Sequence, residues 1–282
     1  MEIRKAVITA AGPNQDRLPL QRFVDLDGME KTALQIILEE IIAAGIEEVG
    51  IVVRRGSQQV YREAAGDYSR LLSFVEQPSP RGYGEALYRA APLVGGQAFL
   101  HLVSDHLYVS RQARRCTQQL VEAARAENCS ISAVQPTRES MLRHYGAIGG
   151  SPIAGRSGLY RIERVLEKPT PTCAEQQLVV PGLRAGHYLC LFGMHVLTPQ
   201  AMELLGQAVA EAPTGDGSPP IMLTPALEKL AQCERYLAME LEGTRYNIGV
   251  KYGLLTTQLA LALSGSDREE ILAKIVELLA TR

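Results

Sequence analysis

The chain has 282 residues, of which 46% are hydrophobic and 21% charged, a length and composition of a folded globular protein with one large α/β domain or two small ones. Its 29 lysines and arginines against 31 aspartates and glutamates give a net charge of -2, which provides no overall field for nucleic acid or an anionic membrane. A small-molecule partner is therefore expected. The apolar runs are shorter than the roughly 20 residues of a membrane span, and the start lacks the pattern of a secretion signal. Together with five dispersed cysteines, these features predict a cytoplasmic protein.

In the first half of the chain, short apolar runs alternate with helical patterns. Strands are predicted, from apolar runs bounded by turn residues, over 5–12, 47–53, 99–105 and 129–137. Between the first two strands a helical pattern ends on Gly45, a helix-stop signal. Its apolar face carries Leu34, Ile37, Leu38, Ile41 and Ile42. Strand, helix and strand in this order predict a βαβ unit with a right-handed crossover, and hence a parallel sheet.

After about residue 140 the pattern changes. Strand-like runs come without long helices between them, over 145–150, 159–169 and 188–197. They predict a mixed sheet with an antiparallel part. The segment 236–249 is predicted to return as a strand, and two helical patterns, around 251–263 and 267–279, close the chain. Because no internal repeat or linker divides the sequence, we expect an α/β fold with a Rossmann-like mixed sheet in a single domain over 1–282.

Two segments have features suited to a nucleotide. The stretch ITAAGPNQDRLPLQ, residues 8–21, follows the first strand but contains a single glycine, Gly12, so its composition leaves open a phosphate loop or an ordinary turn. The stretch VEQPSPRGYGEAL, residues 75–87, turns into a helix and carries Gln77, whose side-chain amide can pair with the edge of a pyrimidine. Gly82 would let a base approach the backbone. Taken alone, the second stretch favours a turn that caps a helix.

The second stretch resembles the base-binding segment of the bacterial sugar-1-phosphate nucleotidyltransferases. The pattern of that family is close to Q-P-S-P-x-G-L-x-x-A, which the chain matches at Gln77, Pro78, Ser79, Pro80, Gly82 and Ala86. Further stretches resemble family landmarks in the same order along nearly the whole chain: HLVSDHL, HYGAIGG, VLEKP and YLCLFGMHVL. The resemblance implies the fold of the nucleotide-diphospho-sugar transferases, with helices on both faces of the sheet and a sugar-binding half from about residue 140.

The resemblance also implies roles for individual residues. The implied nucleotide contacts are Ala10, Ala11, Gly12, Gln77 and Gly82. Asp105 would hold a magnesium ion, which prefers one or two carboxylates plus substrate phosphates, and Lys168 would contact the sugar phosphate. Glu167 would accept hydrogen bonds from sugar hydroxyls, although E-K-P alone is typical of an exposed turn. The remaining implied sugar-side residues are His106, Tyr145, Gly146 and Gly193.

The chain departs from the family pattern at three places near the triphosphate and the metal. In the opening loop, N-Q-D at 14–16 stands where the family has glycine, threonine and arginine, so either Arg17 takes over the triphosphate contact or the site is weakened. Arg22 stands near the position of a family lysine, although a guanidinium is not equivalent to an ammonium. Asn247 stands where the family commonly has a second metal-binding aspartate. It is either a weaker magnesium ligand or a turn residue.

The expected reaction is transfer of a nucleotidyl group from an NTP to a sugar 1-phosphate, with Mg²⁺ as cofactor. GDGSPPIMLTPALEKL resembles the uridylyl branch and favours UTP with glucose 1-phosphate, whereas Q-P-S-P is nearer the thymidylyl branch and dTTP. An inositol or amino-sugar phosphate acceptor is also open. The three departures motivate an alternative, a weak or inactive homologue that binds a nucleotide or sugar nucleotide as a sensor or subunit. The resemblance further implies a homodimer or homotetramer.

Overall fold

A nine-stranded mixed sheet forms the centre of the computed structural model, which describes residues 1–12, 16–213, 215 and 217–281. The strands of this sheet and of two small sheets are β1 (Lys5–Thr9), β2 (Arg22–Val24), β3 (Glu30–Thr32), β4 (Glu48–Arg54), β5 (Leu72–Gln77), β6 (Phe99–Val103), β7 (His106–Ser110), β8 (Ser130–Arg138), β9 (Ala147–Pro152), β10 (Leu159–Leu166), β11 (His187–Leu197), β12 (Tyr236–Glu240) and β13 (Gly243–Asn247).

The order of the central sheet is β5-β4-β1-β6-β11-β8-β12-β10-β9. One half is parallel, because β1 pairs in parallel with both β4 and β6, and β4 pairs in parallel with β5. The long strand β11 runs antiparallel to β6 and β8, and it also pairs with β9. Outside this sheet, β7 pairs with β13 and β2 pairs with β3. The carboxyl ends of the parallel strands therefore meet at one edge, beside the middle of β11.

Helices cover the sheet. They are α1 (Ala33–Ala43), α2 (Gln58–Ala65), α3 (Tyr83–Tyr88), α4 (Ala91–Val94), α5 (Cys116–Glu127), α6 (Pro171–Gln177), α7 (Pro199–Glu211), α8 (Thr224–Cys233), α9 (Gly253–Ser264) and α10 (Arg268–Ala280). Among the described residues, none of these helices has the length and apolar character to cross a bilayer. The start of α1 is fixed by a capping box, in which the Thr32 hydroxyl accepts from the Gln35 backbone N–H and the Gln35 side chain accepts from the Thr32 N–H.

Two large hydrophobic cores pack helices against the two faces of the sheet, and a smaller third core includes Ala174 of α6. Successive side chains of a strand point to opposite faces, and β1 shows this arrangement. Its Ile8 belongs to the core that contains Leu34 of α1, whereas Val7 belongs to the core that contains Leu87 of α3 and Leu205 of α7. All of these side chains are fully buried. Burial of each one stabilises the folded state by about 1.5–3 kcal/mol. The expectation of a Rossmann-like mixed sheet with helices on both faces is confirmed.

Some elements differ from the sequence predictions. The segment 236–249 is not one strand, because β12 joins the central sheet beside β8 whereas β13 pairs with β7. Gly243, the first residue of β13, packs closely against α5, since a Cβ there would lie 2.5 Å from the Cys116 sulfur. The predicted strand over 99–105 ends at Val103, and the chain turns before continuing as β7. The helices α2 and α7 were not predicted.

Candidate active site

A cavity of about 490 Å³ lies where the parallel strands end. Thr9 at the end of β1, Gln77 at the end of β5 and Asp105 just after β6 all line it, as does Gly193 in the middle of β11. The crevice beyond the carboxyl ends of the strands is where open α/β sheets bind ligands. The wall brings together most of the site residues expected from the sequence: Ala11, Gly12, Gln77, Gly82, Asp105, His106, Tyr145, Gly146, Glu167, Lys168, Gly193 and Asn247.

The segment between β5 and α3 is held by contacts with the chain before α8. The Gly84 N–H donates to the Ile221 carbonyl at 2.8 Å, and the Ile221 N–H donates to the Arg81 carbonyl at 2.8 Å. Gly82 has a φ of 117°, and a Cβ there would lie 2.4 Å from the Ile221 carbonyl oxygen. Glycine is therefore needed at this position because another stretch of the protein backbone approaches it. The sequence alone suggested a ligand instead.

Gln77 is buried and its side-chain amide has a fixed orientation. The Nε2 group donates to the Gly82 carbonyl at 3.2 Å and to a carboxylate oxygen of Glu85. Both partners are acceptors, so the nitrogen of the amide must face them. The carbonyl oxygen is then the part of the amide that Gln77 can offer to a ligand in the cavity.

Asp105 and Asn247 lie side by side at the end of the β7–β13 pair. The Ile248 N–H donates to the Asp105 backbone carbonyl at 2.9 Å, and the Asn247 Oδ1 accepts from the Gly249 N–H at 2.8 Å. A Cβ at Gly249 would lie 3.2 Å from Asn247 Oδ1 and 3.7 Å from Asp105 Oδ2, so both oxygens are close to one point. Two hard oxygen donors suit a magnesium ion, which usually keeps water and phosphate as its other ligands. The described residues contain no group of three or more acidic, histidine or cysteine side chains that could hold a metal ion.

Glu167 and Lys168 follow β10 and also line the cavity. The Glu167 carboxylate accepts from the Thr224 hydroxyl at 2.5 Å, and its other oxygen lies 3.7 Å from Lys168 Nζ. Lys168 has a φ of 44°, an uncommon conformation for a residue with a Cβ, and its N–H donates to the Tyr145 carbonyl at 3.2 Å. The strained backbone fixes the direction in which the ammonium leaves the turn. Thr224, the first residue of α8, was not singled out from the sequence.

His106 and Gly193 are in tight contact in the floor of the cavity. Gly193 has a φ of 77°, and a Cβ there would lie 2.4 Å from His106 Nδ1, so the ring occupies the space a side chain would need. Burial lowers the pKa of His106 to about 4, although Asp105 opposes that change. His106 is therefore a neutral ring at pH 7, able to donate or accept a hydrogen bond but not to neutralise phosphate charge.

Arg245 is a buried cation that sequence reasoning missed. Its guanidinium lies 3.7 Å from the centroid of the Tyr145 ring and donates to the Leu191 carbonyl. Burial lowers the pKa of the Arg245 side chain, and the phenol of Tyr145 opposes that change. A cation stacked on an aromatic ring stabilises the ring in place, so Arg245 fixes the position of Tyr145 at the cavity wall. Arg245 lies two residues before Asn247, and only the asparagine was singled out from the sequence.

The two arginines expected to replace missing family cations do not line the described part of the cavity. Arg22, on β2, has a side chain 67% exposed and forms a salt bridge with Glu30. Arg17 is exposed, and Asp16 beside it pairs with Arg54 at 3.5 Å. Ala10 is buried behind the wall, where its N–H donates to β4. The three residues between Gly12 and Asp16, which include the altered loop positions 14 and 15, lie outside the described residues.

An α/β fold with a cavity at the carboxyl ends of its parallel strands, lined by a buried amide, a carboxylate–amide pair and a lysine, is typical of the nucleotide-binding class of α/β proteins. The model of the nucleotidyl transferase family matches residues 23–217. That match covers more than half of the chain, so the protein belongs to the nucleotidyl transferase family. The family expected from the sequence motifs is thereby confirmed.

Curated relatives match nearly the whole chain. A UTP-glucose-1-phosphate uridylyltransferase of Streptococcus pneumoniae is 29% identical, over 93% of this chain and 91% of its own length. One from Streptococcus pyogenes is 28% identical over 98% of this chain and 94% of its own.

Solved structures share the fold. A UDP-glucose pyrophosphorylase complexed with UDP-glucose has a TM-score of 0.74 and 24% identity, covering 92% of this chain and 98% of its own. A UTP-bound UGPase from Acinetobacter baumannii has a TM-score of 0.73 and 21% identity, covering 98% of this chain and 100% of its own.

Proposed function

We propose that this protein transfers the uridylyl group of UTP to glucose 1-phosphate, forming UDP-glucose and pyrophosphate with the help of Mg²⁺. The observation that carries the proposal is the arrangement of Gln77, the Asp105–Asn247 pair and Lys168 around one cavity at the ends of the parallel strands. The names of the curated relatives support the choice of UTP and glucose 1-phosphate. In this proposal, the half of the chain from about residue 140 binds the sugar.

The reaction is an in-line displacement at phosphorus. An oxygen of the sugar 1-phosphate attacks the α-phosphorus of UTP, the bond to the β-phosphate oxygen breaks, and its electron pair leaves with pyrophosphate. Asp105 and Asn247 would hold the metal ion, which when bound neutralises charge on the phosphoryl oxygens. Lys168, whose side chain is 52% exposed, contacts the phosphate of the attacking sugar. Its ammonium reduces the repulsion between two anionic substrates.

The sugar and the triphosphate are recognised by different groups. Glu167, oriented by the Thr224 hydroxyl, accepts hydrogen bonds from sugar hydroxyls. His106, Gly146 and the Tyr145 ring complete the sugar side of the wall. Arg17 is the proposed contact to the triphosphate, because it follows the loop at the end of β1. Arg22 would have to leave its salt bridge with Glu30 to take part.

One observation favours a second candidate function. Among the described residues that line the cavity, Lys168 is the only lysine or arginine, whereas UTP and a sugar phosphate bring several negative charges. A homologue with so few cations could bind a nucleotide or sugar nucleotide without efficient turnover, and act as a sensor or subunit.

Release of pyrophosphate from UTP and glucose 1-phosphate with Mg²⁺ tests the proposal. Lys168→Met is expected to lower kcat/KM for the sugar phosphate about 100-fold, because a charge-assisted contact worth about 1.5–3 kcal/mol is lost. Asp105→Asn is expected to lower kcat by a similar factor while UTP still binds. Lys274→Met on α10, an exposed lysine far along the chain from these motifs, is the matched control. Absence of turnover with any of several NTP and sugar phosphate pairs, together with measurable UTP binding, would favour the second candidate.

A further inference from the structure

Glu85 is a buried carboxylate that does not line the cavity. It is 2% exposed and lies in α3. One of its oxygens accepts from Arg89 Nε at 2.5 Å, and the other accepts from the Gln77 side-chain amide. Burying a carboxylate is costly unless it is paired and hydrogen-bonded. Both pairings are present, but only the one with Gln77 leads towards the cavity.

The Gly82 carbonyl and Glu85 together allow only one orientation of the Gln77 amide. If the amide turned over, its carbonyl oxygen would face the Gly82 carbonyl and the Glu85 carboxylate, and neither can donate a hydrogen bond. Both N–H groups would also lose their present partners. The amide therefore presents an acceptor, and not a donor, to a ligand in the cavity.

An acceptor at this place discriminates between pyrimidines. Uracil and thymine carry a ring N3–H, which can donate to the Gln77 carbonyl oxygen, whereas N3 of cytosine has no hydrogen and is itself an acceptor. Two facing acceptors leave both groups unpaired, and a site built around a hydrogen bond rejects an analogue that lacks it strongly.

We propose that Glu85 is a positioning residue that sets the base specificity of this protein: by fixing the amide of Gln77, it selects nucleotides of uracil or thymine against those of cytosine. The inference rests on the proposed function insofar as the cavity must bind a pyrimidine nucleotide. Beyond that function, the inference assigns the discrimination against cytosine to Glu85, a residue that does not line the cavity. Arg89, half-exposed, holds the carboxylate in place from the other side.

Titration calorimetry with UTP and CTP tests the proposal without requiring turnover. The wild-type protein is expected to bind UTP about 100-fold more tightly than CTP, because the rejected base leaves polar groups unpaired. In Glu85→Gln the new amide can donate to a reversed Gln77, so the UTP-to-CTP ratio is expected to fall at least about tenfold. Arg89→Lys keeps a positive charge beside Glu85, and is expected to keep most of the ratio. Glu122→Gln, on the exposed face of α5, is the matched control.

Two further measurements test the proposal if the Glu85→Gln variant does not fold. Glu85→Asp keeps the charge but draws the carboxylate back from Gln77, and is also expected to lower the ratio. In the wild-type protein, N3-methyl-UTP is expected to bind about 100-fold more weakly than UTP, since it lacks the N3–H.

The outcomes separate this proposal from the proposed function. An unchanged UTP-to-CTP ratio in both folded Glu85 variants overturns the role of Glu85 while UTP binding stands. Equal binding of UTP and CTP, or of UTP and N3-methyl-UTP, by the wild-type protein overturns it as well. If the wild-type protein binds neither UTP nor dTTP, the proposed function and this proposal are both overturned.

Discussion

At the scale of single residues, Asn247 is the proposed magnesium ligand at which the chain departs from the family pattern. Its Oδ1 accepts from the Gly249 N–H and faces the same point as the Asp105 carboxylate. A neutral amide oxygen is a weaker magnesium ligand than a carboxylate. A carboxylate in this position could accept from Gly249 in the same way and would add a negative charge beside Asp105.

We therefore expect Asn247→Asp to lower the Mg²⁺ concentration for half-maximal activity about tenfold, because a charged ligand binds a hard cation more strongly. Asn247→Ala, which removes the ligand without adding charge, is the matched comparison and should raise that concentration. The measurement is a Mg²⁺ titration of pyrophosphate release at fixed UTP. If neither substitution changes the Mg²⁺ titration, Asn247 does not bind the metal together with Asp105.

At the scale of elements, the cavity depends on the contact between the β5–α3 segment and the chain before α8. Gly82→Ala would place a Cβ 2.4 Å from the Ile221 carbonyl oxygen at a φ of 117°. We expect this substitution to reduce the free energy of unfolding by about 2–4 kcal/mol, since overpacking and backbone strain add together. UTP affinity should fall as well, because the Gly82 carbonyl orients Gln77.

Gly96→Ala provides the control. Gly96 also has a positive φ, of 71°, but a Cβ there would meet nothing within 4 Å. We expect Gly96→Ala to lower the free energy of unfolding by about 1 kcal/mol, because only the backbone conformation is unfavourable. Urea unfolding of both variants measures the difference. Equal losses would mean that close packing against Ile221 contributes nothing beyond the cost of the backbone conformation.

The contacts between elements also account for which parts of the site and fold could be predicted from the sequence. Asp105 and Lys168 were expected at the site because each lies in a short stretch that resembles a family motif, and both line the cavity. Thr224 and Arg245 were missed because their roles arise from contacts with residues far away in the chain: Thr224 with Glu167, and Arg245 with the Tyr145 ring. Local patterns do not contain such pairs. For the same reason 236–249 was predicted as one strand, since only two residues lie between β12 and β13, and their different partners are distant in the chain.

At the scale of the whole molecule, three histidines lie in the interior beside or beneath the cavity. His101 and His195, on the adjacent strands β6 and β11, stack with ring centroids 5.8 Å apart, and His106 begins β7. Burial lowers the pKa of His101 and His106 from 6.5 to about 4, and that of His195 to about 3. Asp105 and Arg245 act on His106 in opposite directions, and His101 lowers the pKa of His195 further. All three rings are neutral in the folded protein at pH 7.

The low pKa values make folding stability depend on pH. Below pH 6.5 the unfolded chain binds protons on these histidines before the folded protein does, so the folded state loses stability as the pH falls. The contribution of the histidines is complete above pH 6.5 and is lost progressively as the pH falls through about 4. Glu40, whose pKa is raised by burial, has the opposite effect, because a carboxyl group that protonates more readily in the folded state stabilises it at low pH.

We expect the free energy of unfolding to fall by about 1 kcal/mol or more per pH unit between pH 6 and pH 4.5, since each neutral buried histidine contributes up to about 1.4 kcal/mol per unit. Urea unfolding at a series of pH values measures the slope. His101→Asn, which removes one buried ring, should make the slope shallower than in the wild-type protein. If the two proteins have the same slope, the acid sensitivity comes from groups other than His101.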